Sequence, residues 1–154
     1  MALKSKGEYF HGPGRVFAIH PGSGSVKKNW PAANFLRLAD KIEKKGGRPY
    51  IILGEAEENI RKQWTAFPYP VTFGQDLAEI ASFLVNCSGF VGNDSGITHL
   101  SAAVGIRTVA LFGPTNPRVW GPRGRNVAVI GPAPEQQCID SIRIDSVYNA
   151  LTLS

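Results

Sequence analysis

Cysteine is scarce in this chain: Cys87 and Cys138 are the only two among 154 residues, and neither stands at metal-ligand spacing from another ligand. A disulfide framework is thereby excluded as the basis of the fold, and both read as reduced cytosolic thiols. No apolar run approaches the ~18–20 residues of a membrane span, and no signal-peptide core opens the sequence. Asp-x-Asp is absent, so no pair of carboxylates suggests a bound divalent cation, and His99 has no second His or Cys at ligand spacing. Internal repeats and low-complexity tracts are missing too. The two common nucleotide fingerprints, G-x-G-x-x-G and G-x-x-x-x-G-K-[ST], do not occur.

What remains is the composition of one ordinary globular domain, 43% hydrophobic and 19% charged. A domain of this length buries roughly 68–70% of its unfolded surface and needs no staple. A net charge of +5 favours anionic partners. The Lys and Arg residues are scattered and not interleaved with aromatics, which argues against nucleic acid. Residues 1–14 are polar, basic and glycine-containing, and read as a linker or frayed start. Beyond them, strands are predicted over 15–20, 50–53, 89–91, 108–112 and 126–130, with one further short strand within 67–71. Helices are predicted from Trp30-Pro31 to Gly46-Gly47, over 55–64, from Ser95, and over 145–151. Another opens on the capping box Asp76-x-x-Glu79, with Leu77, Ile80, Ala81 and Leu84 facing the core. Such alternation implies a three-layer α/β/α domain with a mostly parallel sheet, whose ligands sit outside the carboxyl ends of the strands. The polar loops 21–29, 92–96 and 113–117 all follow strands and so share that edge.

The stretch 91–103 organises this edge. A buried strand feeds a helix through Asp94-Ser95-Gly96, presenting open backbone N–H groups and the positive end of the helix dipole to an anion such as phosphate. Gly96 has no Cβ to hold a ligand off the backbone, and His99 projects one turn beyond Ser95 on the same side. Each residue also has a plainer reading. Asp94 either braces the turn or contacts a ligand. His99 is alternatively a core histidine packed on the sheet. Pro21–Ser25 is a flexible turn unless Lys28 folds back to make it a phosphate cradle, and Lys28 by itself is a solvated lysine. Arg37, Lys41 and Lys44 form a basic helix stripe, a solvated face or a contact with an anionic membrane surface.

Four motifs occur in order: His20-Pro21-Gly22-Ser23-Gly24-Ser25, Lys28-Asn29-Trp30-Pro31, Gly92-Asn93-Asp94-Ser95-Gly96 with His99 and Ala102-Ala103, and Leu111-Phe112-Gly113-Pro114-Thr115. At these separations they closely resemble the C-terminal half of glycosyltransferase family nine, which includes the bacterial ADP-heptose:lipopolysaccharide heptosyltransferases. The likeness covers about 20–124. It implies one half of a GT-B architecture, with 15–154 forming a Rossmann-like nucleotide-sugar-binding domain. It also implies a transferase that uses no metal or other cofactor. Such an enzyme moves a sugar from a nucleotide-sugar, with ADP-heptose expected, to a lipid-linked saccharide acceptor.

By matching position, Lys28 contacts phosphate and sugar and Asp94 the sugar hydroxyls, the two catalytic contributions expected here. Ser23, Gly24, Ser95, Gly96 and Ile97 line the phosphates. Glu57 or, in better register, Glu58 holds the ribose; Gln75 borders the adenine, and His99 lies near the phosphates. In the family the general base belongs to the N-terminal domain. This single domain is therefore expected to bind donor but to need that half, in cis or trans, for transfer. A bacterial cytoplasmic setting, with peripheral contact at the inner face of the inner membrane, completes what the resemblance implies. The alternative is a stand-alone nucleotide-sugar or phospho-ligand binding module without catalysis.

Overall fold

The computed structural model describes residues 15–23, 25–73, 76–113, 121–132 and 138–153. Six strands make one sheet: β1 (Val16–His20), β2 (Arg48–Leu53), β3 (Val71–Phe73), β4 (Gly89–Asn93), β5 (Thr108–Leu111) and β6 (Val127–Ile130). Every neighbouring pair is parallel, in the order β3-β2-β1-β4-β5-β6. Helices α1 (Ala32–Lys44), α2 (Arg61–Thr65), α3 (Leu77–Leu84), α4 (Gly96–Val104) and α5 (Ile144–Thr152) cover its faces. The three-layer α/β/α expectation holds.

Side-chain alternation along each strand builds two cores. Phe17 and Ile19 of β1 join Phe35, Leu38 and Ile42 of α1, Trp64 of α2 and Val147 and Leu151 of α5 on one face. Val16 and Ala18 join Ile80, Phe83 and Leu84 of α3 and Ile97 of α4 on the other. β1, β4 and β5 are accordingly buried along their whole length, as parallel strands covered on both sides must be. The end of α1 shows how glycine sets a boundary. Gly46 takes φ +89, letting its N–H reach Glu43 O at 3.0 Å and that of Gly47 reach Ile42 O at 2.9 Å.

The strand order places the site. The chain builds outward from β1 to β3, then returns to lay β4 against the other side of β1, with His20 beside Gly92. Loops leaving β1 and β4 therefore diverge, and a crevice opens between them at the carboxyl edge. At the opposite, amino edge, Arg15 precedes β1, Arg48 opens β2, Arg107 precedes β5 and Arg125 stands two residues before β6.

Three local expectations need correction. The helix predicted over 55–64 is a 3-10 run, Glu55–Ile60, followed by the short α2; Glu57 turns inward there and its carboxylate accepts from Gly54 N–H, which holds the tighter winding. The short strand expected within 67–71 lies at Val71–Phe73 instead. Pro68 and Pro70 have no N–H to give a ladder, and the carbonyl of Pro70 alone is used, by Ile51 N–H at 2.9 Å. On α3, Leu77 is 62% exposed and Phe83 is buried in its place: Leu77 sits in the first turn at the carboxyl edge, ahead of the point where the helix has strand beneath it. Asp76 caps α3 through Ala78 N–H at 2.8 Å.

Candidate functional site

Asn93, the last residue of β4, is fully buried and ties the two loops together. Its Oδ1 accepts from Trp30 N–H at 2.9 Å, and its Nδ2 donates to Pro21 O at 3.0 Å and to Asn29 Oδ1 at 3.3 Å. The main-chain N–H of Trp30 and C=O of Pro21 are thereby satisfied, so the loop after β1 is anchored to β4. Between these anchors the loop winds a 3-10 turn at Val26–Lys28, closed by Lys28 N–H to Ser25 O at 3.0 Å. Lys28 is thus aimed at the end of β4, and its Nζ lies 3.2 Å from Asp94 Oδ2.

The turn after β4 is set by its own side chains. Ser95 caps α4, accepting weakly from Thr98 N–H at 3.4 Å, while Thr98 Oγ1 donates to Asn93 O at 2.6 Å. A Cβ on Gly92 would stand 2.8 Å from Thr98 Oγ1 and from the Phe90 ring, which explains glycine before Asn93. The first-turn amides of Gly96 and Ile97 have no acceptor among the described residues, as helix starts dictate. Nothing lies within 4 Å of where a Cβ on Gly96 would stand, so the helix start is open on that side. The side chain of Ile97 is packed in the core, leaving its backbone for a ligand.

Of the remaining expected residues, Ser23 spends its hydroxyl locally, 2.6 Å from Ser25 O and 2.6 Å from Asn29 Oδ1. His99 is exposed, so its reading as a core histidine falls: it points away from the sheet on a helix whose buried face is Ile97, Thr98 and Ser101. Glu57 is buried, with Oε2 accepting from Gly54 N–H at 2.7 Å and Oε1 3.6 Å from His20 Nε2. Glu58 is exposed and 3.7 Å from Arg61. Gly24, Gln75, the 1–14 segment and 114–117 lie outside the described residues. Among the described residues no three His, Cys, Asp or Glu side chains gather where they could hold a metal. No helix there is long and apolar enough to cross a membrane.

Sequence reasoning missed Asn93 and His20 as parts of the site's frame. His20 Nδ1–H donates to Ile52 O at 2.9 Å across the sheet. Burial pushes its pKa below the ordinary value, against the opposing pull of Glu57 and the Ile52 carbonyl. A Cβ on Gly22 would fall 2.3 Å from the Glu57 carboxylate, so His20, Gly22 and Glu57 form one tight joint under the loop. The available signal was a polar residue, His20 or Asn93, ending an otherwise apolar run. Leu77, exposed at the same edge just past Gln75, was hidden by its helical periodicity.

A family model described as glycosyltransferase family 9 (heptosyltransferase) matches residues 3–149. Lipopolysaccharide heptosyltransferase 1 of Pseudomonas aeruginosa is 34% identical over 123 residues, covering 77% of this chain and 35% of that protein. The structure of E. coli ADP-heptose lps heptosyltransferase II superposes with a TM-score of 0.81 at 21% identity, over 94% of this chain and 47% of that one. E. coli heptosyltransferase WaaC with ADP gives 0.76 at 23% identity, over 87% and 42%. At such identities the two structures bear on the fold alone. The chain spans 35% to 47% of the length of these proteins. Sequence match and shared fold agree, and this chain belongs to glycosyltransferase family 9, the heptosyltransferase family.

Proposed function

We propose that the chain is the donor-binding domain of a metal-independent, heptosyltransferase-like glycosyltransferase that takes ADP-heptose and serves a lipid-linked saccharide acceptor. The observation that carries this is the meeting of Lys28 and Asp94 at 3.2 Å, beside the open amides that start α4. A leaving diphosphate gains negative charge in the transition state, and preorganised amides with an ammonium stabilise it without reorganising. The unliganded pair is neutral in sum. On donor binding, Lys28 transfers from Asp94 to the diphosphate, and the freed carboxylate accepts from sugar hydroxyls. Ser23, Gly24, Ser95, Gly96 and Ile97 are assigned to the phosphates, with His99 nearby. Glu58, exposed where Glu57 is committed to Gly54 and His20, is assigned to the ribose, and Gln75 to the adenine.

Transfer then needs an acceptor-binding N-terminal half, in cis or trans, at the cytoplasmic face of the inner membrane. Titration against ADP-, UDP- and GDP-sugars tests the donor reading, with the ADP conjugate expected to bind tightest. Lys28→Ala should cost about 1.5–3 kcal/mol of affinity, the worth of a hydrogen bond to a charged group. Asp94→Asn should spare ADP while weakening the sugar conjugate. Unchanged affinity in Lys28→Ala removes that residue from the site. Binding with no transfer under any pairing with the other half leaves only a binding module.

A further inference from the structure

Cations scattered along the sequence are collected by the topology. Among the described residues, the amino edge of the sheet and the end of α1 beside it carry Arg15, Lys41, Lys44, Lys45, Arg48, Arg107, Arg123 and Arg125 against three carboxylates, Asp40, Glu43 and Asp145, the partner of Lys41. That excess of five equals the net charge of the entire chain, so the rest of the molecule, the donor edge included, sums to neutrality. Arg15, Lys45, Arg123 and Arg125 are exposed, and none has a carboxylate partner among the described residues.

Of the stripe Arg37, Lys41 and Lys44 expected on α1, Arg37 alone has no carboxylate partner among the described residues, and it lies two turns before the end of the helix. Lys41 is held by Asp145 and the Tyr148 ring, and Lys44 by Asp40. Between Arg15 and Lys45 lies a cavity of about 180 Å³, lined also by the apolar Phe17, Ile42 and Tyr148. It is at the far end of the sheet from Lys28 and Asp94. Two exposed apolar side chains share this edge, Val85 at the end of α3 (54%) and Leu153 at the end of α5 (66%).

We propose that this amino edge docks on an anionic phospholipid surface, with headgroup phosphates at Arg15, Lys45, Arg123 and Arg125. Exposed single cations sharing an edge with the exposed apolar Val85 and Leu153 suit a lipid surface. The cavity is lined both by the exposed cations Arg15 and Lys45 and by the apolar Phe17 and Ile42, the two chemistries of a phosphate joined to a glycerol and acyl stem. Nucleic acid would need exposed stacking aromatics or a groove tracking a backbone, and this edge has neither among the described residues. The docking does not rest on the donor reading. Where that reading holds, the five residues of β1 lift the donor crevice above the headgroups by roughly 17 Å at ~3.3 Å per residue. That is the place of an acceptor hydroxyl carried on a saccharide.

The test is co-sedimentation of the chain with phosphatidylcholine vesicles with or without phosphatidylglycerol. Binding is expected only to the anionic vesicles and should fall steeply as salt rises from about 0.05 to 0.5 M. Each cation near such a surface contributes about fivefold in partitioning. R123E/R125E and Lys45→Glu are therefore expected to lose binding by tenfold or more, while Arg143→Glu, away from this edge, changes it little. Far-UV circular dichroism and thermal unfolding of the same variants report that they are folded, and ADP-sugar titration separately tests the donor reading. Equal binding to neutral vesicles, indifference to the reversals, or binding to a DNA duplex but not to vesicles would overturn the proposal. Vesicle binding without any nucleotide binding would sink the donor reading and leave this one standing.

Discussion

Replacing Asn93 probes the tie between the two loops. In Asn93→Ala, the buried Trp30 N–H and Pro21 C=O lose partners that stood at 2.9 and 3.0 Å. Each unsatisfied group costs about 1–3 kcal/mol, so the loss is about 2–5 kcal/mol, part of it returned by water entering the vacated space. At ~2–4 °C per kcal/mol for a domain of this size, Tm falls by about 4–20 °C. Asn93→Asp separates hydrogen bonding from packing, because it keeps the shape. One carboxylate oxygen still accepts from Trp30 N–H, but the other faces the carbonyl oxygen of Pro21, where an amide donated before.

That second oxygen is tolerated only when protonated, so the folded-state pKa of Asp at this position rises above its unfolded ~3.9. A raised pKa means that stability is fully present below the unfolded value and is lost as pH climbs toward the folded one. The loss amounts to ~1.4 kcal/mol for every pH step of one between the two values. Asn93→Asp should therefore be less stable than Asn93→Ala at pH 8 and recover relative to it near pH 4. Denaturant unfolding of the three proteins across that range measures this. An Asn93→Asp protein within about 0.5 kcal/mol of wild type at pH 8, the ordinary scatter of a surface change, would refute the hydrogen-bond assignment. So would a gap between the two variants that ignores pH.

Gly22→Ala places a Cβ 2.3 Å from the Glu57 carboxylate and should destabilise by about 1–3 kcal/mol, read by unfolding. Gly96→Ala meets nothing within 4 Å and should leave stability level or raise it by about 0.4–1 kcal/mol, yet weaken ADP-sugar binding; intact binding would remove the α4 amides from the site. His20, whose pKa burial lowers, must be protonated on unfolding in mild acid, so stability should fall as pH drops through ~6.5. His20→Asn should flatten that slope between pH 7 and 5, and an unchanged slope assigns it elsewhere. Burial pushes the Cys87 thiol up to about 12, while Cys138 is exposed. A thiol reagent should therefore label one cysteine quickly in the native protein and both after unfolding.

Layer architecture was legible in the sequence because apolar runs such as 15–20 and 89–91 are local signals of a doubly covered strand, although β4 runs on to Asn93. Polar loops following them fix the ligand edge once the sheet is parallel. The glycine boundary of α1 was legible for the same reason, Gly46 taking φ +89 there, whereas the matching Gly105 that ends α4 went unread. The open start of α4 needed no tertiary knowledge either, since Ser95 and Gly96 are neighbours in sequence. What only the tertiary structure decided rests on distant pairs. Asn93 meets residues 21–30 because β4 is laid beside β1, His20 meets Ile52 and Glu57 across β2, and Lys28 finds Asp94 rather than its own loop. The basic edge belongs to this second kind: its arginines are far apart in the chain and become one surface only because parallel strands all begin at the same end.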